Sequence, residues 1–120
     1  MTTCEKAFMY PDIHIYCGEI KKEKMPQGAY ALKEPSLIIE VLSQDRNYDR
    51  GDKFDCYRQI ASLRRYVMIE SNLESYPPAV YVRDWENNRA FEEHTLGLPD
   101  SLDVLGCLLQ VEAVYEALRQ

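Results

Sequence analysis

A chain of 120 residues, 46% of them hydrophobic, can bury one substantial core but not two, so residues 1–120 read as a single domain with no linker. Its formal charge of -6 and isoelectric point near 4.9 argue against a protein that coats nucleic acid non-specifically, although a local cation or bound metal can still engage phosphate. No apolar run approaches the roughly 20 residues of a membrane span, and no basic segment followed by an apolar core opens the chain, which fits a soluble cytoplasmic protein without a membrane partner.

Residues 1–9 carry no clear period. Tyr10-Pro11-Asp12 then leads into Ile13-His14-Ile15-Tyr16-Cys17, a β-branched and aromatic run that predicts a strand ended by Gly18. Residues 19–35 are polar and hold Lys21, Lys22, Lys24, Pro26 and Gly28, which predicts an irregular connection, either solvated or flanking a site. Pro35 pushes the backbone into an extended strand, Ser36 to Ser43, apolar on both sides of Glu40 and so buried on both faces. A polar turn follows, then a helix to Ala61 or Ser62 with Asp49 as its N-cap. Three- and four-residue spacing puts Lys53, Tyr57 and Ile60 near one face of that helix, beside Phe54 and Ala61.

Residues 65–70 and 79–83 predict two further strands, and residues 89–94 a partner for the second through a turn at 84–88. Residues 101–120 predict a short apolar stretch and a helix with Leu109, Ala113, Val114, Tyr115 and Leu118 on its apolar face. His94 falls in a polar hairpin end and reads as solvated. Cys4, Cys17, Cys56 and Cys107 are widely spaced without a CxxC pair, which predicts reduced thiols and no zinc site. The chain contains no P-loop, dinucleotide glycine fingerprint or GxSxG elbow.

The residue that stands out is Glu40. An ionised carboxylate inside an apolar strand costs several kcal/mol unless a cation or hydrogen bonds compensate it, so the fold must supply a metal ion, a local cation or an outlet to solvent. Side chains two apart on a strand share a face: Asp12 with His14 and Tyr16, Glu40 with Ile38 and Leu42. If the two strands are neighbours with those faces aligned, Asp12 and Glu40 converge, and two close carboxylates repel unless a divalent cation sits between them. Asp12 alone reads equally as a Pro-Asp turn, and His14 as a packed strand histidine or a third ligand. Lys53 reads either as a surface lysine whose stem lies along Phe54 or Tyr57, or as a cation for a phosphate.

Pro11-Asp12-Ile13-His14-Ile15-Tyr16-Cys17-Gly18, Pro35-Ser36-Leu37-Ile38-Ile39-Glu40-Val41-Leu42-Ser43, Asp49-Arg50-Gly51-Asp52-Lys53-Phe54, Tyr57 and Arg65-Tyr66-Val67-Met68-Ile69 together resemble the Uma family, classed with restriction endonucleases in the PD-(D/E)xK nuclease superfamily. The resemblance runs from Tyr10 to the last helix. It implies an α+β, restriction-endonuclease-like fold, a mixed β-sheet flanked by helices. By position it makes Asp12 the acid of the Pro-Asp strand and Glu40 the second acid. The superfamily's usual lysine position, two places after the second acid, holds Leu42; the family's lysine comes from the following helix, where Lys53 matches it, with Tyr57 as its neighbour.

The resemblance implies an endonuclease hydrolysing phosphodiester bonds of DNA with Mg2+, or Mn2+, held by Asp12, Glu40 and the Val41 carbonyl. Lys53 would orient the nucleophile or stabilise developing charge. Family members carry a sizeable segment before the Pro-Asp strand where this chain has residues 1–9, which predicts that the N-terminal part of the fold is missing and a sheet edge is exposed. Hence the alternative: a catalytically inactive, nuclease-like binding or dimerisation module whose edge pairs with a second copy in a homodimer.

Overall fold

The computed structural model describes residues 13–15, 21–24, 30–33, 35–86, 89–104 and 106–118, the first three segments as backbone. In chain order the elements are strands β1 (Ile13–Ile15), β2 (Lys21–Lys24), β3 (Tyr30–Lys33) and β4 (Leu37–Val41), then helices α1 (Arg46–Arg50) and α2 (Asp52–Arg58). Strands β5 (Arg65–Ile69), β6 (Val80–Asp84), β7 (Glu92–Leu96), β8 (Ser101–Val104) and β9 (Cys107–Gln110) follow, and helix α3 (Val111–Leu118) closes the series. A five-stranded sheet runs β1-β4-β5-β6-β7, with two separate hairpins, β2-β3 and β8-β9. This is the α+β, restriction-endonuclease-like arrangement that the sequence implied.

The continuous apolar run of β4 has a topological cause. β4 and β5 pair in parallel, Glu40 opposite Met68, and parallel strands need a crossover that covers the sheet. Here α1 and α2 form that crossover. Ile38 and Leu42 turn toward it and pack with Phe54, Tyr57, Tyr66, Met68, Tyr81 and Trp85. Leu37 and Ile39 turn the other way, against Val67, Ile69, Val80 and Val82, and Val111 and Tyr115 of α3 cover that face. Glu40 belongs by alternation to the Ile38 and Leu42 side and so lies under the crossover helices.

β1 pairs antiparallel to β4, with His14 opposite Ile38, so the two strands are neighbours as expected. The opposite edge, β7, is exposed over Glu92, Glu93, His94 and Thr95, and charged edges resist pairing with another chain.

Four expectations are corrected. The predicted connection over residues 19–35 contains the β2-β3 hairpin, with Lys21 opposite Lys33 and Lys24 opposite Tyr30; a lysine-rich strand without apolar alternation carries no period-two signal. The single helix after Ser43 is two helices. Its cap is Asp45, whose side chain accepts from the Tyr48 N–H at 3.3 Å, and Asp49 sits one turn inside. The break is at Gly51, with φ -110° and ψ -95°, where an added Cβ would lie 2.9 Å from the Asn47 carbonyl oxygen, closer than real Cβ contacts allow. The apolar stretch after residue 100 is a hairpin, its turn at Gly106, whose φ of 91° is the left-handed region that glycine adopts without strain. Finally, Cys56 is disulfide-bonded where reduced thiols were expected, while Cys107 is free and exposed.

Candidate functional site

Glu40 is 2% exposed, and the crossover compensates it from two successive turns. The Tyr57 hydroxyl donates to Oε1 at 2.6 Å, and the Lys53 ammonium donates to Oε2 at 3.1 Å. Both donors lie on α2, four residues apart, so one helical face delivers them together. The side chain of Lys53 is 18% exposed, mostly covered by its surroundings. With Glu40 2% exposed, an outlet to solvent for its carboxylate is set aside.

A second carboxylate lies in the same place. Asp49 is 3% exposed and its Oδ1 is 3.8 Å from Lys53 Nζ. Its Oδ2 accepts from both the backbone N–H and the hydroxyl of Ser43, each at 2.7 Å. The Tyr66 hydroxyl donates to the Asp49 carbonyl at 3.0 Å. Asp49 is thus tied at both ends, to the exit of β4 and to β5, while Lys53 has a flexible four-carbon stem. Glu40 and Asp49 flank the same ammonium, from the strand and from the crossover.

The adjacent parallel strand carries another buried acid, Glu70, just past the end of β5 and 1% exposed. Its Oε1 accepts from Arg46 and, at 2.8 Å, from the Tyr81 hydroxyl, and its Oε2 lies 3.3 Å from the Asn72 N–H. The Arg46 guanidinium is stacked 4.0 Å from the Tyr76 ring centroid and 5.5 Å from that of Tyr81. Burial would lower the Arg46 pKa, but the hydrogen bonds to Tyr81 and Glu70 outweigh it and the value is raised. Burial pushes the Tyr81 hydroxyl up as well. Every buried side-chain nitrogen and oxygen among the described residues has a hydrogen-bond partner, as in well-packed native proteins.

Of the residues expected at a site, the fold brings Glu40, Lys53 and Tyr57 into one cluster. Val41 follows Glu40 at the end of β4 and is 36% exposed. Asp12 lies outside the described residues, and His14 is known here by its register opposite Ile38. His94 is exposed, as read, with Nε2 4.0 Å from Glu92 Oε2. Sequence reasoning missed Asp49 and Ser43 as parts of the cluster. The usable signal was spacing: Asp49 stands four residues before Lys53, on the same helical face, and one acid that meets Glu40's lysine is worth testing as another. It missed Arg46 and Glu70 because an acid at the end of a strand ordinarily meets water.

A protein of Synechocystis sp. (strain ATCC 27184 / PCC 6803 / Kazusa), "Uncharacterized protein sll1609", is 36% identical over 66 residues, 54% of this chain and 36% of that protein. The chain therefore spans little over a third of the curated relative it matches. No solved structure matches the chain. No helix among the described residues is long and apolar enough to cross a membrane. The family match is far more extensive, covering residues 1–112, and the chain belongs to the Uma2 family, described as "Putative restriction endonuclease".

Proposed function

We propose that this chain is a metal-dependent endonuclease that hydrolyses phosphodiester bonds of DNA. The observation carrying the proposal is the Glu40 cluster: a buried carboxylate whose charge partner is a lysine 3.1 Å away, in a chain of the Uma2 family. A second buried acid, Asp49, lies 3.8 Å from the same ammonium.

The donor chemistry suits a hard divalent cation. Carboxylate and carbonyl oxygens are the ligands magnesium takes, and sulfur or imidazole is absent from the described cluster. Magnesium and manganese need few carboxylates and complete their shell with water and substrate phosphate. Glu40, the Val41 carbonyl and Asp12 are the proposed ligands. When bound, the metal supplies Lewis acidity at the phosphate and a more acidic water.

The chain's own residues divide the remaining work. Tyr57 holds Oε1 of Glu40 at 2.6 Å, which fixes the carboxylate plane and leaves Oε2 as the oxygen whose partner can change. Lys53 then places an ammonium beside the reacting phosphate, where it orients the attacking water and stabilises charge building on the phosphoryl oxygens. The helices above Glu40 exclude bulk water, and in that low-dielectric setting fixed charges act more strongly.

Magnesium and manganese titrations by calorimetry on the wild type and Glu40→Ala, followed by plasmid nicking in the same buffer, test the reading. Binding lost in the variant, with nicking by the wild type, is expected. A folded wild type that binds neither metal overturns it. The second reading, a binding module that retains an inherited cluster, is favoured by the way Tyr57 and Lys53 already engage both oxygens of Glu40, and that result would support it, with a homodimer in solution as its further sign.

A further inference from the structure

Arg58, the last residue of α2, is a half-buried guanidinium that pairs with no carboxylate among the described residues. Its Nη2 donates to the Arg89 carbonyl at 2.6 Å, and most of the fork's N–H donors stay available. Aromatic rings hold it in place. It lies 5.7 Å from the ring centroid of Phe54, 5.3 Å from that of Trp85 and 5.6 Å from that of Phe91, within the range at which a ring attracts a cation. Beside it, Arg83 lies 4.4 Å from the Phe54 centroid and 4.7 Å from that of Phe91. Arg83 and Arg50 share one carboxylate, Glu93, at 2.7 and 2.8 Å. Three guanidinium groups thus stand with one paired acid on this face of a chain whose net charge is -6. The neighbouring acids Asp84 and Glu86 have arginines of their own in Arg65 and Arg89, and Asp52 and Asp55 of α2 are exposed, where solvent screens them.

Phe91 meets Phe54 at 4.9 Å and 83° between ring planes, yet remains 38% exposed. We propose that Arg58 and Phe91 form a docking site for an unpaired nucleic-acid strand, Arg58 taking a backbone phosphate and Phe91 stacking on the adjoining base. A planar guanidinium grips a phosphate through two parallel N–H bonds, and an aromatic ring accepts the face of any base, so the pair binds without reading sequence. The 5.6 Å between them is a span that one sugar bridges. Bases inside a duplex are already stacked and paired and offer a side chain no free face, which is why the strand must be unpaired. The excess of guanidinium over carboxylate draws the strand in against the chain's overall negative charge. This extends the nuclease reading by naming the form of nucleic acid, but strand binding here requires neither metal nor hydrolysis.

The test uses the full chain with EDTA, so that neither metal nor cleavage contributes, and follows the anisotropy of labelled oligo-dT, oligo-U and a duplex of the same length over a range of salt. Both single strands should bind more tightly than the duplex, and the tighter of the two names the sugar. Arg58→Gln should weaken oligo-dT binding about tenfold and flatten the slope of log affinity against log salt by about 0.7, the value for one phosphate contact on a single strand. Phe91→Ala should weaken it about tenfold, the scale of one lost base stack, with the salt slope unchanged and no effect on an abasic strand. Arg58→Lys keeps the charge without the fork: the slope should hold while affinity falls, and with Phe91→Ala it decides the matter if Arg58→Gln does not fold. A duplex bound as tightly as the single strands, an unmoved slope in Arg58→Gln, or wild-type binding by Phe91→Ala would each overturn the inference. An Arg58 that merely clasps α2 to the turn before β7 predicts the last two, with a lowered melting temperature. Metal-free strand binding by a chain that cannot nick DNA with magnesium would leave the inference standing and sink the nuclease reading; nicking without strand binding would do the reverse.

Discussion

Two buried glutamates stand on the crossover side of adjacent parallel strands, and they are compensated in opposite ways. Glu70 meets Arg46, whose fork bonds a carboxylate and Tyr81 while its plane stacks on Tyr76 and Tyr81. Glu40 meets Lys53, a single ammonium shared with Asp49. Arginine in this setting is planar, always charged and fixed by stacking; lysine is a point charge on a flexible stem. The Glu70 centre has a cation held by stacking, and the Glu40 centre has a flexible cation placed between two acids. Burial is the same in the two centres; the chemistry of the compensating side chain is not.

The comparison can be broken by substitution. Lys53→Ala should slow DNA cleavage by roughly two to three orders of magnitude, the range for a lost charge stabiliser, while magnesium still binds; single-turnover kinetics and calorimetry check both halves. Glu70→Gln should cost about 3 kcal/mol of stability, since it leaves a locked guanidinium without its counter-charge, while leaving the magnesium affinity of the folded protein unchanged. Glu40→Gln should do the reverse: magnesium binding disappears, yet stability stays within about 1 kcal/mol, because removing a carboxylate relieves its repulsion with Asp49 and the amide still accepts from Tyr57. Equal destabilisation by the two glutamine variants in urea melts would remove the distinction drawn between the centres.

Tyr57→Phe tests a finer point. It deletes the 2.6 Å hydrogen bond to Glu40 and should cost roughly 1.5–3 kcal/mol, as for hydrogen bonds to charged groups, with a weaker metal affinity rather than a lost one.

The smallest effect lies outside both centres. Glu93 is partly desolvated, which alone would raise its pKa, but Arg83 and Arg50 outweigh that and hold it below the ordinary value. Its contribution is therefore complete above the unfolded glutamate pKa of about 4.3 and is lost as the pH falls through the lower folded value. Acid melts of wild type and Glu93→Gln should diverge at neutral pH and converge below that range.

How much of this was legible differs between the two centres for physical reasons. Glu40 could be read because an acid interrupts an apolar run in mid-strand, and Lys53 and Tyr57 because helical spacing puts them on one face. Asp49 was read as a cap because acids commonly open helices; only Gly51, which breaks the helix where an added Cβ would strike Asn47, explains how Asp45 caps while Asp49 turns inward. Glu70 could not be read, since its partners are 24 residues back at Arg46 and 11 ahead at Tyr81, and nothing local encodes that meeting. The β2-β3 hairpin escaped because its pairing is set by backbone hydrogen bonds between strands whose side chains show no apolar alternation.

Tyr115 gives the order of assembly a direction. Its hydroxyl sits among the Glu70 carbonyl at 2.6 Å and the Ala79 carbonyl and N–H at 2.9 and 3.0 Å, closing the loop between β5 and β6 from a helix that follows every strand in sequence. During synthesis the Val67, Val80 and Val82 face has Leu96, Leu102 and Val104 against it but lacks Val111 and Tyr115 until α3 emerges from the ribosome, although the described crossover side already has its parts. A nascent chain paused before residue 111 thus holds a half-covered sheet, a natural target for a chaperone and a stage at which aggregation competes with folding.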